Sequence, residues 1–131
     1  MVGIFRAKPL RPRVKTPLGT FTFDETGWMT DPNCTPVFQW INSELDLTAV
    51  VHAQRLNQQI DRFTDAAIQY AKLRADTTGW DGEGMLSLEA VDITSILNER
   101  FGLTFGIESQ PDFTVTVEFV AREPNEVWTA D

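Results

Sequence analysis

The chain has 131 residues and one cysteine, which suits a single domain with one core and excludes an internal disulfide. Hydrophobic residues make up 42% and charged residues 23%, which excludes a disordered chain, and no apolar run approaches the roughly 18 residues of a membrane span. The net charge of −8 opposes nucleic acid binding, and the N-terminus lacks the apolar region of a secretory signal, so we expect one cytoplasmic domain over residues 1–131 without membrane contact.

The charge is unevenly distributed along the chain. Residues 1–23 contain five basic residues and no acid, whereas residues 24–131 contain six basic and nineteen acidic residues, a balance of −13. Three prolines fall within residues 1–17, which predicts a basic edge strand or an extended arm because proline removes backbone donors. Residues 18–131 form the predicted acidic body, and an acidic body attracts a basic partner.

Strands dominate the first third of the predicted body. Residues 18–25 alternate phenylalanine with polar residues, and residues 37–41 form a second predicted strand after a loop rich in proline, asparagine and aspartate at 31–36. Residues 45–51, LDLTAVV, fit either a third strand or the first turns of a helix. We favour a strand for this segment.

Two helices are predicted next. An apolar stripe spaced by three and four residues predicts a long helix ending near Asp76, where two threonines and a glycine follow. The stripe consists of Ala53, Leu56, Ile60, Phe63, Ala67 and Tyr70. Ser87 is then a good N-cap for a second helix that buries Leu88, Val91, Ile96 and Leu97 and stops at Gly102.

The final third again predicts strands. Residues 103–108 alternate, and FTVTVEFV places Phe113, Val115, Val117 and Phe119 on one face, which is typical of an antiparallel hairpin with one wet face. The whole order is strands, two helices, then strands. It predicts an α+β domain, an antiparallel sheet with two helices packed on one face.

The glycine-rich stretch DTTGWDGEGMLSLE at 76–89 is the segment most suggestive of a site. Its spacing fails the calcium-loop pattern, and its only G-x-G contains an acid and lacks a following lysine, which opposes phosphate binding. Asp81 and Glu83 are separated by one residue in a glycine-flanked loop, which favours solvated turn residues over a catalytic pair. Trp80 is expected to plug the end of the core or to bind a ligand.

No catalytic, metal or cofactor site is predicted. His52 is the only histidine and lies beside the apolar stripe, a position typical of a structural residue, and no serine lies in a nucleophile turn. Cys34 has no nearby base and is expected to be inert. Since tryptophan is common both in cores and at interfaces, we predict partner binding by Trp28 and Trp80 together with the carboxylates of Asp81 and Glu83.

A series of short motifs between residues 18 and 108 resembles a group of small uncharacterised bacterial domains. These motifs are LGTFTFDETGW at 18–28, the Tyr70-Ala71 pair near the end of the long helix, the Trp80-Asp81 loop and the Leu86-Ser87-Leu88-Glu89 segment. Many members of that group are thought to be immunity proteins of contact-dependent or polymorphic toxin systems. The resemblance implies a stable scaffold with a complementary surface and no catalytic residues.

The sequence therefore predicts a non-enzymatic protein-binding domain, an immunity protein that neutralises a basic toxin through an acidic surface. One alternative is a small hydrolase that uses His52 with acids from Asp46, Asp81 or Glu83. The other is a structural or assembly subunit whose long helix mediates self-association. The oligomeric state stays open.

Overall fold

A computed structural model describes residues 11–131, so residues 1–10 of the predicted basic arm lie outside the described residues. The described chain forms eight strands and three helices. The strands are β1 (Arg13–Thr16), β2 (Gly19–Asp24), β3 (Gly27–Met29), β4 (Val37–Trp40), β5 (Leu86–Asp92), β6 (Arg100–Ile107), β7 (Gln110–Val120) and β8 (Glu123–Ala130). The helices are α1 (Leu47–Gln58), α2 (Ile60–Leu73) and α3 (Ala75–Thr78), and a single 3-10 turn covers Ile96–Asn98.

All eight strands form one sheet in chain order, from β1 at one edge to β8 at the other. Six of the seven neighbouring pairs are antiparallel, and the exception is β4 with β5, which run parallel. A parallel pair needs a crossover connection, and the three helices between residues 47 and 78 provide it. The α+β class and the order strands, helices, strands agree with the sequence prediction, and β1 is an edge strand.

The ladder between β6 and β7 confirms the alternation seen in the sequence. Leu103 lies opposite Val117 and Phe105 lies opposite Val115, and all four side chains are fully buried. The intervening residues of both strands are only partly covered. One face of the sheet therefore forms the core, and the other remains accessible.

In the segment at 45–51, residues 47–51 form the first turns of α1, so the predicted strand there is wrong. Its β-branched residues suggested a strand, but the side chain of Asp46 accepts hydrogen bonds from the backbone N–H groups of Thr48 (2.8 Å) and Ala49 (3.2 Å). This N-cap satisfies two of the donors that a helix start leaves free. Val50 then faces the core, while Leu47 and Val51 are exposed.

The apolar stripe is confirmed, but it spans two helices rather than one. The backbone breaks at Gln59, which ends α1 and precedes α2. Leu56 of α1 and Phe63, Ala67 and Ala71 of α2 are buried against the sheet. The C-terminal part is held to the edge strand, since the Tyr70 hydroxyl donates to the Asn125 carbonyl (2.7 Å) and the Thr129 hydroxyl to that of Thr78 (2.7 Å).

The second predicted helix, beginning at Ser87, is wrong because residues 86–92 form β5. A β-bulge between Leu88 and Ala90 explains the error. The inward positions follow a period of two up to Leu88, and the extra residue then moves the next inward position to Val91. A spacing of three imitates a helix. Gly102, predicted as the residue after the helix, lies within β6.

Candidate interaction surface

Trp28, one of the predicted partner-binding residues, lies half-buried on β3. Its ring meets Phe23 edge-on with centroids 5.2 Å apart, and its indole N–H donates to the Ser43 carbonyl (3.3 Å). It lies opposite Trp40 of β4. Trp28 is thus part of a packed corner at the β3–β4 end of the sheet.

The predicted Trp80–Glu83 loop has a different arrangement. The Trp80 side chain is only 3% exposed, and its indole N–H donates to the Glu83 carbonyl (3.0 Å). The Asp81 carboxylate accepts from the Glu83 backbone N–H (2.9 Å), which leaves the loop closed on itself. The ring therefore plugs the core, and what the loop offers to a partner is the exposed side chains of Asp81 and Glu83.

The structure does not bring the four predicted residues together. Trp28 contacts Phe23 and the segment before α1, whereas the Trp80–Glu83 loop precedes β5 and approaches Ile107 at the far end of β6 through Gly84. Asp81 and Glu83 are adjacent to each other but share none of these neighbours with Trp28.

A comparison of the four tryptophans singles out Trp128. The indole N–H groups of Trp28, Trp40 and Trp80 each donate to a backbone carbonyl, those of Ser43, Glu44 and Glu83. Trp128 is 45% exposed, and its indole N–H has no hydrogen-bond partner within residues 11–131. An exposed aromatic ring with a free donor is the type of residue that dominates binding energy at protein interfaces.

Trp128 lies on the sheet face opposite the helices, which we call the open face. Cross-strand pairing places it beside Thr116, and Thr116 lies beside Thr104 with the two hydroxyl groups 2.9 Å apart. A parallel row of paired positions runs next to this one, from β4 to β8. Its members are Gln39, Asp92, Gly102, Glu118 and Glu126.

Two glycines shape the open face. A Cβ atom added to Gly102 would lie 3.8 Å from the nearest atom of Asp92, so this position leaves a hollow without a clash. At Gly106 the carboxylate of Glu89 occupies the space, only 2.6 Å from where a Cβ would be. The hollow over Gly102 has a volume of about 410 Å³ and is bordered by Gln39, Asp92, Arg100, Thr116, Glu118 and Trp128.

The open face is predominantly acidic. Around the hollow, between β4 and β8, the open face carries the carboxylates of Glu89, Asp92, Glu118 and Glu126 against one guanidinium, that of Arg100. The basic residues Arg13 and Lys15 lie on the same face at its β1 edge. Arg100 lies 3.3 Å from Glu118, with side chains 55% and 28% exposed, a surface ion pair worth at most about 1 kcal/mol. Three of the four carboxylates thus have no ion-pair partner between residues 11 and 131.

Comparisons with family models, curated proteins and solved structures gave no match. Assignment of a function therefore depends on the chemistry of the chain's own surface.

The acids proposed to act with His52 do not surround it. Asp46 caps α1, while Asp81 and Glu83 lie in the loop before β5. His52 is exposed on α1, and the carboxylate that lines the same cavity is Glu99. No carboxylate of the described chain accepts a hydrogen bond from His52, which leaves the imidazole without the orienting group that acid–base catalysis uses.

Metal-ligating groups are scattered over the surface. The thiol of Cys34 is exposed and lies 3.9 Å from the Asp31 carboxylate. Across residues 11–131, no three His, Cys, Asp or Glu side chains converge as a metal site would require. No helix in the same range is long and apolar enough to cross a bilayer.

The sequence contained only part of the signal that locates Trp128. A two-residue turn at 121–122 predicts strands on both sides of it, but its register continued without interruption would place Trp128 opposite Val115 on the core face. A β-bulge between Glu118 and Phe119 shifts the pairing by one residue and places Trp128 beside Thr116 instead. The signal was hidden because Ala121 and Arg122 occupy the turn with positive φ angles of 50° and 70°, where glycine or asparagine is usual.

Proposed function

We propose that this protein is a non-enzymatic protein-binding domain, an immunity protein that neutralises a basic toxin through the acidic open face. The observation that carries the proposal is Trp128, an exposed ring on a sheet face that the helices leave uncovered. Within residues 11–131 its indole N–H has no hydrogen-bond partner and the nearby carboxylate of Glu126 has no ion-pair partner. The immunity role itself is supported by the sequence resemblance over residues 18–108.

The physical argument begins with charge. Residues 24–131 carry a balance of −13, and the part of the open face around the hollow concentrates four carboxylates against one guanidinium. Such a surface accelerates encounter with a basic protein and disfavours acidic ones, and a toxin that grips nucleic acid phosphates is basic where it does so. When the toxin binds to the open face, its own basic surface is covered and can no longer contact nucleic acid. This neutralisation requires no catalytic step by the immunity protein.

Shape adds to charge. The hollow over Gly102 accepts one protruding side chain, and the carboxylates of Asp92 and Glu118 that border it are acceptors for an arginine guanidinium. Trp128 supplies an aromatic face on which the same guanidinium can stack. The open face is thus suited to an arginine-rich segment of the partner.

Affinity capture from the native host tests this proposal. The tagged chain is incubated with lysate at roughly 50 mM salt and eluted with a step to roughly 500 mM, since interactions between exposed charges are screened over that range. We expect a basic protein that elutes with the salt step from wild type and is missing from the eluate of the Glu118→Lys, Glu126→Lys double variant. Retention by the double variant, or binding that does not respond to salt, would contradict the proposal.

A matched control separates surface location from total charge. The Asp65→Lys, Asp76→Lys double variant makes the same change in net charge on exposed residues of α2 and α3, on the other side of the sheet. It should retain the partner. Equal loss in both double variants would show that general acidity, rather than the open face, attracts the captured protein.

A further inference from the structure

A second cavity lies on the helix side of the molecule, apart from the open face. It is bordered by the end of α1, the start of α2, the 3-10 turn and the β7–β8 turn and is open to solvent on one side, with a volume of about 520 Å³. This volume is within the range of sites for small ligands. Its floor is apolar, formed by Leu56, Phe63, Ile96 and Phe101, and its rim is polar, formed by His52, Arg55, Gln58, Gln59, Glu99 and Arg122.

The rim holds an oriented guanidinium. A terminal nitrogen of Arg122 donates to the side-chain oxygen of Gln59 (2.7 Å), and its Cζ lies 5.7 Å from the centroid of the Phe63 ring. The turn that carries Arg122 is itself fixed to the rim, because the Ala121 backbone N–H donates to the Glu99 carbonyl (2.9 Å). Arg122 is therefore positioned before any ligand arrives, which lowers the entropy cost of binding.

The charge at this cavity is opposite to that of the surrounding body. Of the six basic residues in 24–131, two line the cavity, Arg55 and Arg122, and Glu99 is the one acid on its rim. Neither guanidinium has a carboxylate within 4 Å in the described chain. A protein with a balance of −13 over these residues thus presents, within its described part, two cations without an ion-pair partner above an apolar floor.

We propose that this cavity binds a small organic anion, with a carboxylate or phosphate group held by Arg55 and Arg122 and an apolar or aromatic body on Phe63 and Phe101. Guanidinium groups match both oxyanions through paired N–H donors, and the apolar side chains of the floor contact the apolar body of the ligand. Glu99 disfavours highly charged anions and accepts a hydrogen bond from a donor on the ligand. The site is independent of the open face and of the proposed immunity role.

An NMR titration of the full chain tests the proposal with phenyl phosphate and 3-phenylpropionate as probes. Ligands of this size bind with dissociation constants of roughly 0.1–1 mM. We expect saturable shifts of the Gln59, Phe63 and Arg122 amide signals with at least one probe, and the more effective one tells phosphate from carboxylate. The neutral 3-phenylpropanamide and inorganic phosphate alone should each bind at least about tenfold more weakly than the effective probe.

Variants establish whether the two arginines are responsible. Arg122→Gly removes the guanidinium and suits the positive φ of that position, so the turn is preserved, and Arg55→Gln changes an exposed helix residue. Each should weaken the effective probe by about tenfold. Arg62→Gln, a change on the exposed side of α2 away from the cavity, should leave binding unchanged.

Three results would overturn the assignment. One is the absence of a saturable shift with both probes up to roughly 20 mM, more than tenfold above the expected dissociation constants. Another is binding of the neutral amide or of inorganic phosphate with the same strength as the effective probe. The third is an equal loss of probe binding in Arg62→Gln and Arg122→Gly, which would show that the total charge of the protein, rather than the cavity arginines, determines binding.

Discussion

Phe101 of β6 stacks on Phe119 of β7, with ring centroids 4.8 Å apart and planes inclined by 10°. The two residues are direct partners across the ladder, and Phe63 of α2 meets both rings edge-on at 5.3 and 5.6 Å. This three-ring cluster joins the helix layer to the longest strand pair. It also forms part of the floor beneath Arg122.

Loss of the Phe63 ring should strongly destabilise the fold. Phe63→Ala removes a buried ring with two aromatic contacts, and such truncations lower the free energy of unfolding by about 3–5 kcal/mol. Urea denaturation followed by circular dichroism measures the change. Leu73→Ala near the end of the same helix is the control, since that side chain is 79% exposed and should change stability by less than about 0.5 kcal/mol. Similar losses of stability in the two variants would contradict a special contribution of the three-ring cluster to the stability of the fold.

The β2–β3 turn requires glycine at position 27. A Cβ atom there would lie 2.4 Å from the Trp40 carbonyl oxygen, and the φ angle is 149°. We expect Gly27→Ala to lower the free energy of unfolding by about 3 kcal/mol or more, because backbone strain and overpacking add. Gly79→Ala provides the comparison: its φ is 82° with nothing nearby, so backbone strain alone should cost about 1–2 kcal/mol. Thermal denaturation of both variants measures these losses. A smaller loss of stability in Gly27→Ala than in Gly79→Ala would contradict the close packing of the turn against Trp40.

The start of α1 should depend on the carboxylate of Asp46. Asp46→Ala removes the cap of the Thr48 and Ala49 N–H groups and should cost about 1 kcal/mol, whereas Asp46→Asn keeps an acceptor and should cost much less. Urea midpoints of the two variants measure the difference. Equal stability of Asp46→Ala and wild type would contradict the contribution of this cap to the start of α1.

Asp24 should make stability depend on pH below neutrality. Hydrogen bonds from the Thr26 backbone N–H and hydroxyl, with smaller contributions from Gly27 and Arg11, lower the pKa of the Asp24 carboxyl below its usual value. A lowered folded-state pKa stabilises the fold above the unfolded-state value, and this contribution is lost as pH falls through the folded-state pKa. Asp24→Asn should therefore destabilise the protein at pH 7 and approach wild type as the pH falls through the lowered folded-state pKa of Asp24. A difference that is independent of pH would contradict this role.

Residues with regular periodicity could be predicted from sequence. Val115, Val117 and Phe119 alternate without interruption and face the core as expected, and Phe63 and Ala67 follow the helical stripe. In these elements the burial pattern of the fold coincides with the local period of the backbone. In these segments, the local sequence alone therefore identifies the residues that face the core.

The errors arose where a local feature changed that period. The bulge between Leu88 and Ala90 gives a strand the residue spacing typical of a helix. The Asp46 cap allows a segment with β-branched residues to begin a helix. The candidate surface was missed for a related reason, since a second bulge, between Glu118 and Phe119, places Trp128 beside Thr116 on the open face. Pairing across strands, rather than composition, creates that surface.

The location of partner binding is the central claim, and a side-by-side titration tests it most directly. The captured partner is titrated calorimetrically with wild type, Trp128→Ala and Glu126→Lys, and with Glu83→Lys as a matched charge reversal in the loop predicted from sequence. We expect Trp128→Ala to weaken binding by about 30-fold or more, as an interface tryptophan does, and Glu126→Lys to weaken it clearly, while Glu83→Lys stays close to wild type. Unchanged affinity in both open-face variants, with loss in Glu83→Lys alone, would contradict the open face as the binding surface.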